Sequence, residues 1–379
     1  MNPKFKLLIT TDTSGDVWSY TYALCESLIK NMNIEILVIS TGGKPSPFQT
    51  NHEELPSCKV IYTDYLLRQR SDFDEYYKQS ASFEKYLSQT IEEFSPHLVH
   101  LNHYVAPAVK TGTPVIMTVH NDIIARLKSN DYRKNSKHHY PKYRSFIEHV
   151  TDKPLVIVTT SRFMAEEFVR TYNFKNYIKI IYTGINYEPQ AFKPDEMRLI
   201  TTTGALTEYS GRSDNIGLIH KIATKMPDNI KFYIIGKHKN ELKKLSDIQK
   251  PSNIQFIDNV PQSELRELYK QSSIFLALSS QDIYSISPIE AAYSNCAIIA
   301  NDIPVFNEMW GDCACIFAKD DVNSLIRNIN NLVENNNLLA LTAKNCQAKA
   351  LATYNSKKMG LEYINLYKNI MKANTLRKC

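Results

Sequence analysis

Two successive series of short β-rich runs, each interleaved with helical stretches, restrict the fold of this chain more than any other feature. In the first series the runs are Phe5–Thr10, Ile34–Ile39, Val60–Thr63, Leu98–Asn102, Val115–Val119, Leu155–Thr159 and Ile178–Tyr182. Helical patterns at Ser19–Lys30, Glu75–Phe94 and Arg162–Tyr172 separate them. In the second series Leu199–Thr203, Lys231–Ile235, Ile254–Ile257, Ile274–Leu278, Ala297–Ala300 and Cys315–Phe317 alternate with further helical candidates. Such alternation requires crossover connections, hence parallel sheets covered by helices on both faces. The expected class is α/β with two Rossmann-like domains, which suits a chain of 379 residues better than a single core does. Asn186–Met197, with Pro189 and Pro194, is the natural linker. The expected division is 1–186, a linker at 187–197, 198–353, and a closing helical segment at 354–379. From Val322 onward the chain is helical and rich in asparagine, with no further strand.

The formal charge of +6 is mild at this length: it permits contact with phosphate or anionic lipid but does not argue for nucleic acid, and no nucleic-acid partner is expected. No apolar run approaches the twenty residues a spanning helix needs. The opening MNPKFKLLITTDTSG reads as a first strand rather than a signal peptide. Seven cysteines are scattered without CxxC or metal-ligand spacing, which suits a reducing compartment and a cytoplasmic protein.

The densest chemistry lies between Ser280 and Asp302. Asp282 and Glu290 flank a Tyr284-Ser285-Ile286-Ser287 turn, and Pro288 suits a first helical turn. One carboxylate on the loop and another just inside the helix can converge on one polar ligand. The N–H groups of the helix start attract phosphate or electron-rich oxygen. Ala291, Ala292 and the run Ala297 to Ala300 fit a helix packed on a buried strand.

This run resembles the donor-site signature of retaining GT-B glycosyltransferases of family 4, in which two glutamates are separated by seven residues that include Pro-Phe-Gly-Leu. Here Asp282 takes the first position, Tyr284-Ser285-Ile286 the Phe-Gly-Leu position and Glu290 the second. Asn301-Asp302-Ile303-Pro304, Glu308 to Asp312 and the Tyr354…Met359…Tyr363…Tyr367 helix are also similar to that family. The resemblance implies two Rossmann-like domains facing across a cleft that holds the active site, and a last helix crossing back to the N-terminal domain. It implies that Glu290 binds the ribose of a nucleotide, that Asp282 contacts the transferred sugar, and that the Tyr284–Ser287 backbone holds sugar hydroxyls and phosphate.

Several family positions are altered. Thr203-Gly204-Ala205-Leu206 stands where Gly-Arg-Leu is usual, with Ala205 in place of the arginine and no matching lysine. Arg212 is the nearby cation that could neutralise a leaving diphosphate, where charge grows in the transition state. Ser285 replaces a glycine, which would permit the closest backbone approach. In Thr13-Ser14-Gly15-Asp16 the second glycine of the family's turn is Asp16. An acid there would repel phosphate but bind sugar hydroxyls, so Gly15 and Asp16 are read as acceptor-side residues. His120 ends the strand Val115–Val119 and is followed by Asn121; the resemblance puts it near the transferred sugar and acceptor, where it could donate a hydrogen bond or titrate. His103 is a possible cleft residue and His100 a structural one. Thr183 and Gly184 resemble the family's Asn-Gly turn, Gly184 being expected to supply φ > 0 and hinge geometry.

Asp72-Phe73-Asp74 has the form of a DxD metal motif but opens a helix, where acids favour the positive end, so no metal site is expected. Segment 126–144 holds seven Lys/Arg against the single acid Asp131. It could dock to an anionic membrane on the cytoplasmic face, where a lipid-linked acceptor would sit. The expected function is a retaining, metal-independent transfer of a hexose from a nucleotide diphosphate sugar, a co-substrate rather than a cofactor, to an acceptor hydroxyl. The acceptor would be a glycan, a glycolipid or a protein. The alternative is a degenerate GT-B protein acting as a partner subunit or sugar-binding module.

Overall fold

A computed structural model describes the chain except residues 1–3, 14–15, 46–54, 68–72, 111, 121, 123–139, 154, 192–196, 203–212, 237–250, 280–284, 320 and 377–379. The described residues form two compact units. One runs to Gly184 and resumes at Ser356; the other spans Ile185–Asn355.

The first unit is a seven-stranded sheet. Its strands are β1 (Phe5–Asp12), β2 (Ile34–Thr41), β3 (Cys58–Tyr62), β4 (Leu98–Leu101), β5 (Val115–Val119), β6 (Leu155–Thr159) and β7 (Ile178–Ile180). They lie in the order β3-β2-β1-β4-β5-β6-β7, with every neighbouring pair parallel. Helices α1 (Asp16–Asn31), α2 (Phe73–Phe94), α3 (Tyr140–Thr151) and α4 (Arg162–Tyr172) make the crossovers. Ser161 caps α4 by accepting from the Met164 N–H at 3.1 Å, and Asn173 ends it with φ 50°, a conformation asparagine tolerates. The second unit is a six-stranded parallel sheet of β8 (Arg198–Thr202), β9 (Lys231–Ile235), β10 (Ile254–Ile257), β11 (Ile274–Ala277), β12 (Ala297–Asn301) and β13 (Cys315–Phe317). Its order is β10-β9-β8-β11-β12-β13. Around it lie α5 (Ser213–Ala223), α6 (Gln262–Lys270), α7 (Ser287–Tyr293), α8 (Pro304–Trp310), α9 (Val322–Glu334) and α10 (Asn336–Thr353).

The final helix, α11 (Ser356–Leu376), returns to the first unit. Its Met359, Tyr363, Ile364 and Tyr367 join Leu7, Ile9, Leu24, Leu28, Val38 and Leu98 in one core. The spacing of those four places them on one helical face. Close packing against α1 is possible because residue 360 is glycine: a Cβ there would lie 2.2 Å from Ser27 Oγ and 2.6 Å from Ser27 Cβ. In the second unit Ile219, Phe232, Ile234, Leu276, Ile299, Leu325, Ile329 and Leu339 fill the space between sheet and helices.

Both sheets reverse their winding once, between β1 and β4 in the first and between β8 and β11 in the second. Open α/β sheets bind ligands beyond the carboxyl ends of strands at that reversal. The sequence points to the same places.

Candidate active-site residues

In the first unit, polar groups converge beyond the ends of β1, β4 and β5. His120 follows β5 and is partly buried. Its Nε2 lies 2.8 Å from Asn102 Oδ1, and its ring meets Tyr20 of α1 edge-on, centroids 4.4 Å apart. Asn102, the residue after β4, also donates Nδ2–H to the Thr10 carbonyl at 2.7 Å, while its backbone N–H donates to Thr10 Oγ1 at 2.9 Å. His103 has Nδ1 3.1 Å from Thr10 Oγ1 and Nε2 3.1 Å from Thr41 Oγ1. His100 is fully buried, with Nδ1 2.8 Å from Tyr367 Oη and Nε2 2.7 Å from Thr118 Oγ1. Tyr363 Oη stands 2.9 Å from Thr118 Oγ1 and accepts from Tyr20 Oη–H at 2.6 Å.

Burial disfavours the charged imidazolium at all three histidines. It lowers His100 to about 3, helped by the nearby His120, and lowers His120 to about 3, helped by His103. It brings His103 to about 4, with Asp12 opposing the shift. All three are neutral near pH 7. His100 and His103 have both ring nitrogens in hydrogen bonds to protein, so the network fixes the sheet end and the last helix.

The remaining N-terminal positions are less convergent. Asp16 opens α1 as an exposed first-turn acid, favourable to the helix dipole. Gly15 and Asn121 lie outside the described residues. Thr183 is buried, and the Gly184 N–H points at Met359 Sδ, 3.2 Å away. The positive φ expected of Gly184 is not found: the described glycines with φ > 0 are Gly42, Gly43, Gly112 and Gly236. A sulfur acceptor on α11 sets the direction of its N–H, so the turn needs no left-handed backbone.

In the second unit Ser285, Ile286 and Glu290 are buried at the start of α7, while Ser287 is half-buried. Pro288 occupies the first turn, and Ile286 accepts the Ile289 and Glu290 N–H groups at 2.9 and 3.0 Å. The helix ends in a Schellman arrangement. Asn295, at φ 64°, donates to Ala292 O, and Cys296 donates to Ala291 O, which turns the chain directly into β12. Glu290 Oε1 accepts from Tyr187 Oη–H and from Gln262 Nε2–H, each at 2.7 Å. Gln262 Nε2–H also reaches Tyr187 Oη. The guanidinium of Arg266 lies 3.7 Å from the centre of the Tyr187 ring, and its buried Nε has no hydrogen-bond partner among the described residues. Burial first, then the Glu290 charge, push the Tyr187 hydroxyl well up, so it remains a donor to the carboxylate.

Gly204, Arg212, Asp282 and Tyr284 lie outside the described residues, as does most of segment 126–144. Within the last segment, Lys142 pairs with Asp74 at 3.0 Å and Arg144 with Glu148 at 2.8 Å. No helix among the described residues is long and apolar enough to cross a membrane.

Asn102, Tyr187, Gln262 and Arg266 were not legible as site residues. Tyr187 lies in a stretch that reads as linker. In the structure residues 185–190 are tied to the second unit by Ile185 N–H to Tyr354 O at 2.9 Å and Gln190 N–H to Tyr293 O at 3.0 Å. The one available signal for Arg266 was its place on the polar helix before β11.

This pair of doubly wound parallel sheets has the GT-B architecture. Over 98% of this chain and all of the other, it matches the sucrose-phosphate synthase of Thermosynechococcus elongatus, with a TM-score of 0.78 at 13% identity. Anabaena HepE in complex with UDP and glucose matches 96% of this chain and all of its own, with a TM-score of 0.70 at 12% identity. In sequence, residues 17–189 match the Glycosyltransferase Family 4 domain and residues 185–349 the Glycosyl transferases group 1 domain. The O-antigen chain mannosyltransferase RfbU of Salmonella typhimurium is 26% identical over 184 residues, covering 46% of this chain and 51% of that protein. The match thus spans about half of each. With its two domains matched from residue 17 to residue 349, the chain belongs to the GT-B glycosyltransferases of the family 4 type.

Proposed function

We propose that this chain is a retaining, metal-independent glycosyltransferase that moves a hexose from a nucleotide diphosphate sugar to an acceptor hydroxyl. The observation that carries the reading is Glu290. It is a buried carboxylate in the first turn of the helix that follows a switch-point strand, with one oxygen held by Tyr187 and Gln262. A buried acid needs partners that hold it, and a cis-diol of ribose is a fitting further donor pair. The hexose and the nucleotide diphosphate are inferred from the family and from relatives that carry mannosyltransferase and UDP–glucose descriptions.

In this reading Glu290 holds ribose, and Asp282 with the backbone of residues 284–287 holds the sugar. Arg212 and the loop at Gly204 neutralise the leaving diphosphate without a metal ion. His120 touches the transferred sugar. Gly15, Asp16, Asn121, Thr183 and Gly184 belong to the acceptor side. A lipid-linked, glycan or protein acceptor would meet the enzyme at a cytoplasmic membrane face, approached through segment 126–144.

The test is to incubate the full chain with a panel of nucleotide hexoses and with lipid and glycan acceptors, reading products by mass spectrometry and the new anomeric configuration by NMR. Glu290→Ala should lower kcat/KM by about a hundredfold or more, the order expected for a lost charged hydrogen-bond partner. A chain that binds no nucleoside diphosphate and yields no product would be a non-catalytic module instead.

A further inference from the structure

The hydrogen-bond pattern around Asn102 determines which nitrogen of His120 carries the proton. The Thr10 carbonyl can only accept, so the Asn102 group 2.7 Å from it must be Nδ2. The same NH2 group lies 3.4 Å from Thr21 Oγ1, whose own hydroxyl is directed to the Val17 carbonyl at 2.8 Å and is free to accept. Rotating the amide by 180° would set Oδ1 against a carbonyl oxygen, a repulsive contact. Asn102 Oδ1 therefore faces His120 Nε2, and an acceptor there demands that Nε2 be the donor. A neutral imidazole carries one N–H, so Nδ1 is left with a lone pair. That nitrogen bonds to no described residue.

We infer that Asn102 is a positioning residue that locks His120 in the Nε2–H tautomer, so that Nδ1 presents a hydrogen-bond acceptor to a hydroxyl of the bound sugar. This rests on the transferase reading and sharpens it, because the sequence alone left His120 free to donate. An acceptor-only nitrogen selects a substrate that brings its own hydrogen. A neutral hexose supplies an O–H there. Asn102, Thr10 and Thr21 come from the end of β4, from β1 and from α1, so three elements hold the amide, and the imidazole follows from it.

The experiment uses the full chain labelled with nitrogen-15 histidine, His120→Gln identifying the His120 signals. In the wild type at pH 7, Nδ1 should resonate as an unprotonated, pyridine-like nitrogen and Nε2 as a protonated one; the reverse assignment, or an even mixture, would overturn the inference. Asn102→Ala should give a mixed tautomer. It should lower kcat roughly ten- to a hundredfold, the scale for losing a group that orients a functional histidine. If no donor yields product, the transferase reading fails while the wild-type nitrogen spectrum still decides the tautomer. That spectrum also decides it if the Asn102 variant does not fold.

Discussion

Glu290 shows how a single carboxylate is made usable. Buried alone it would cost several kcal/mol, whereas two neutral donors on one oxygen offset part of that cost and align it. Tyr187→Phe removes only the hydroxyl, so the ring still meets Arg266. The variant should raise the Kd for its nucleoside diphosphate about three- to tenfold, near the worth of one hydrogen bond to a charge, as read by calorimetry. An unchanged Kd would make Tyr187 a bystander. In the first unit, Tyr363→Phe cuts the chain of hydroxyls linking Tyr20, Thr118 and His100. It should cost about 1 kcal/mol in denaturant unfolding. Glu290 was legible because seven residues of local sequence carry its pattern. Asn102 was not, because its meaning depends on Thr10, 92 positions away, and on His120, 18 positions away.

At the scale of elements, most strands and helices stand where the alternation puts them. The differences lie at the ends and in α3 (Tyr140–Thr151), which the basic composition of 126–144 obscured. α1 begins at Asp16, three residues before the apolar pattern starts, because an acidic first turn suits the helix dipole. The helix–helix seam is another matter: nothing in the sequence says that Gly360 faces Ser27. Gly360→Ala should destabilise the chain by about 1–3 kcal/mol through overpacking, measured by thermal or denaturant melting. Ser27→Gly in the same chain removes the opposing Cβ and should recover part of that loss; strict additivity of the two changes would show that they do not touch.

At the scale of the whole molecule, two consequences follow from the described architecture. The first concerns acid. His100 and His103 titrate near 6.5 in an unfolded chain but near 3 and 4 when folded, so unfolding takes up protons as the pH falls. Stability from these groups is complete above about pH 6.5 and drains away below it, down to about pH 4 for His103 and about pH 3 for His100. The slope is up to about 1.4 kcal/mol per pH unit for each histidine. Urea midpoints across that range should fall accordingly, and His100→Gln should flatten the fall. A midpoint independent of pH would mean that the histidines are solvated. The second concerns autonomy. Residues 185–355 form a contiguous unit and should fold when expressed alone, giving a cooperative melt. Residues 1–184 alone should not, because Met359, Tyr363 and Tyr367 complete their core, whereas joining them to 356–376 by a flexible linker should restore a cooperative transition.

The two-domain fold was readable because strand and helix periods repeat over the whole length, and the helix start at Ser287 because its pattern is local. The phosphate clamp at Arg212 and Gly204, with Asp282, lies outside the described residues, so its expected roles rest on the resemblance alone. The last helix carries one more consequence. A chain emerging from the ribosome makes its amino-terminal half first, yet that half lacks its final wall until the closing residues are synthesised. The half made second can complete its folding earlier than the half made first. A message cut short just before residue 356 would therefore yield a protein whose second unit is sound and whose first unit stays open, exposing apolar surface to chaperones and proteases.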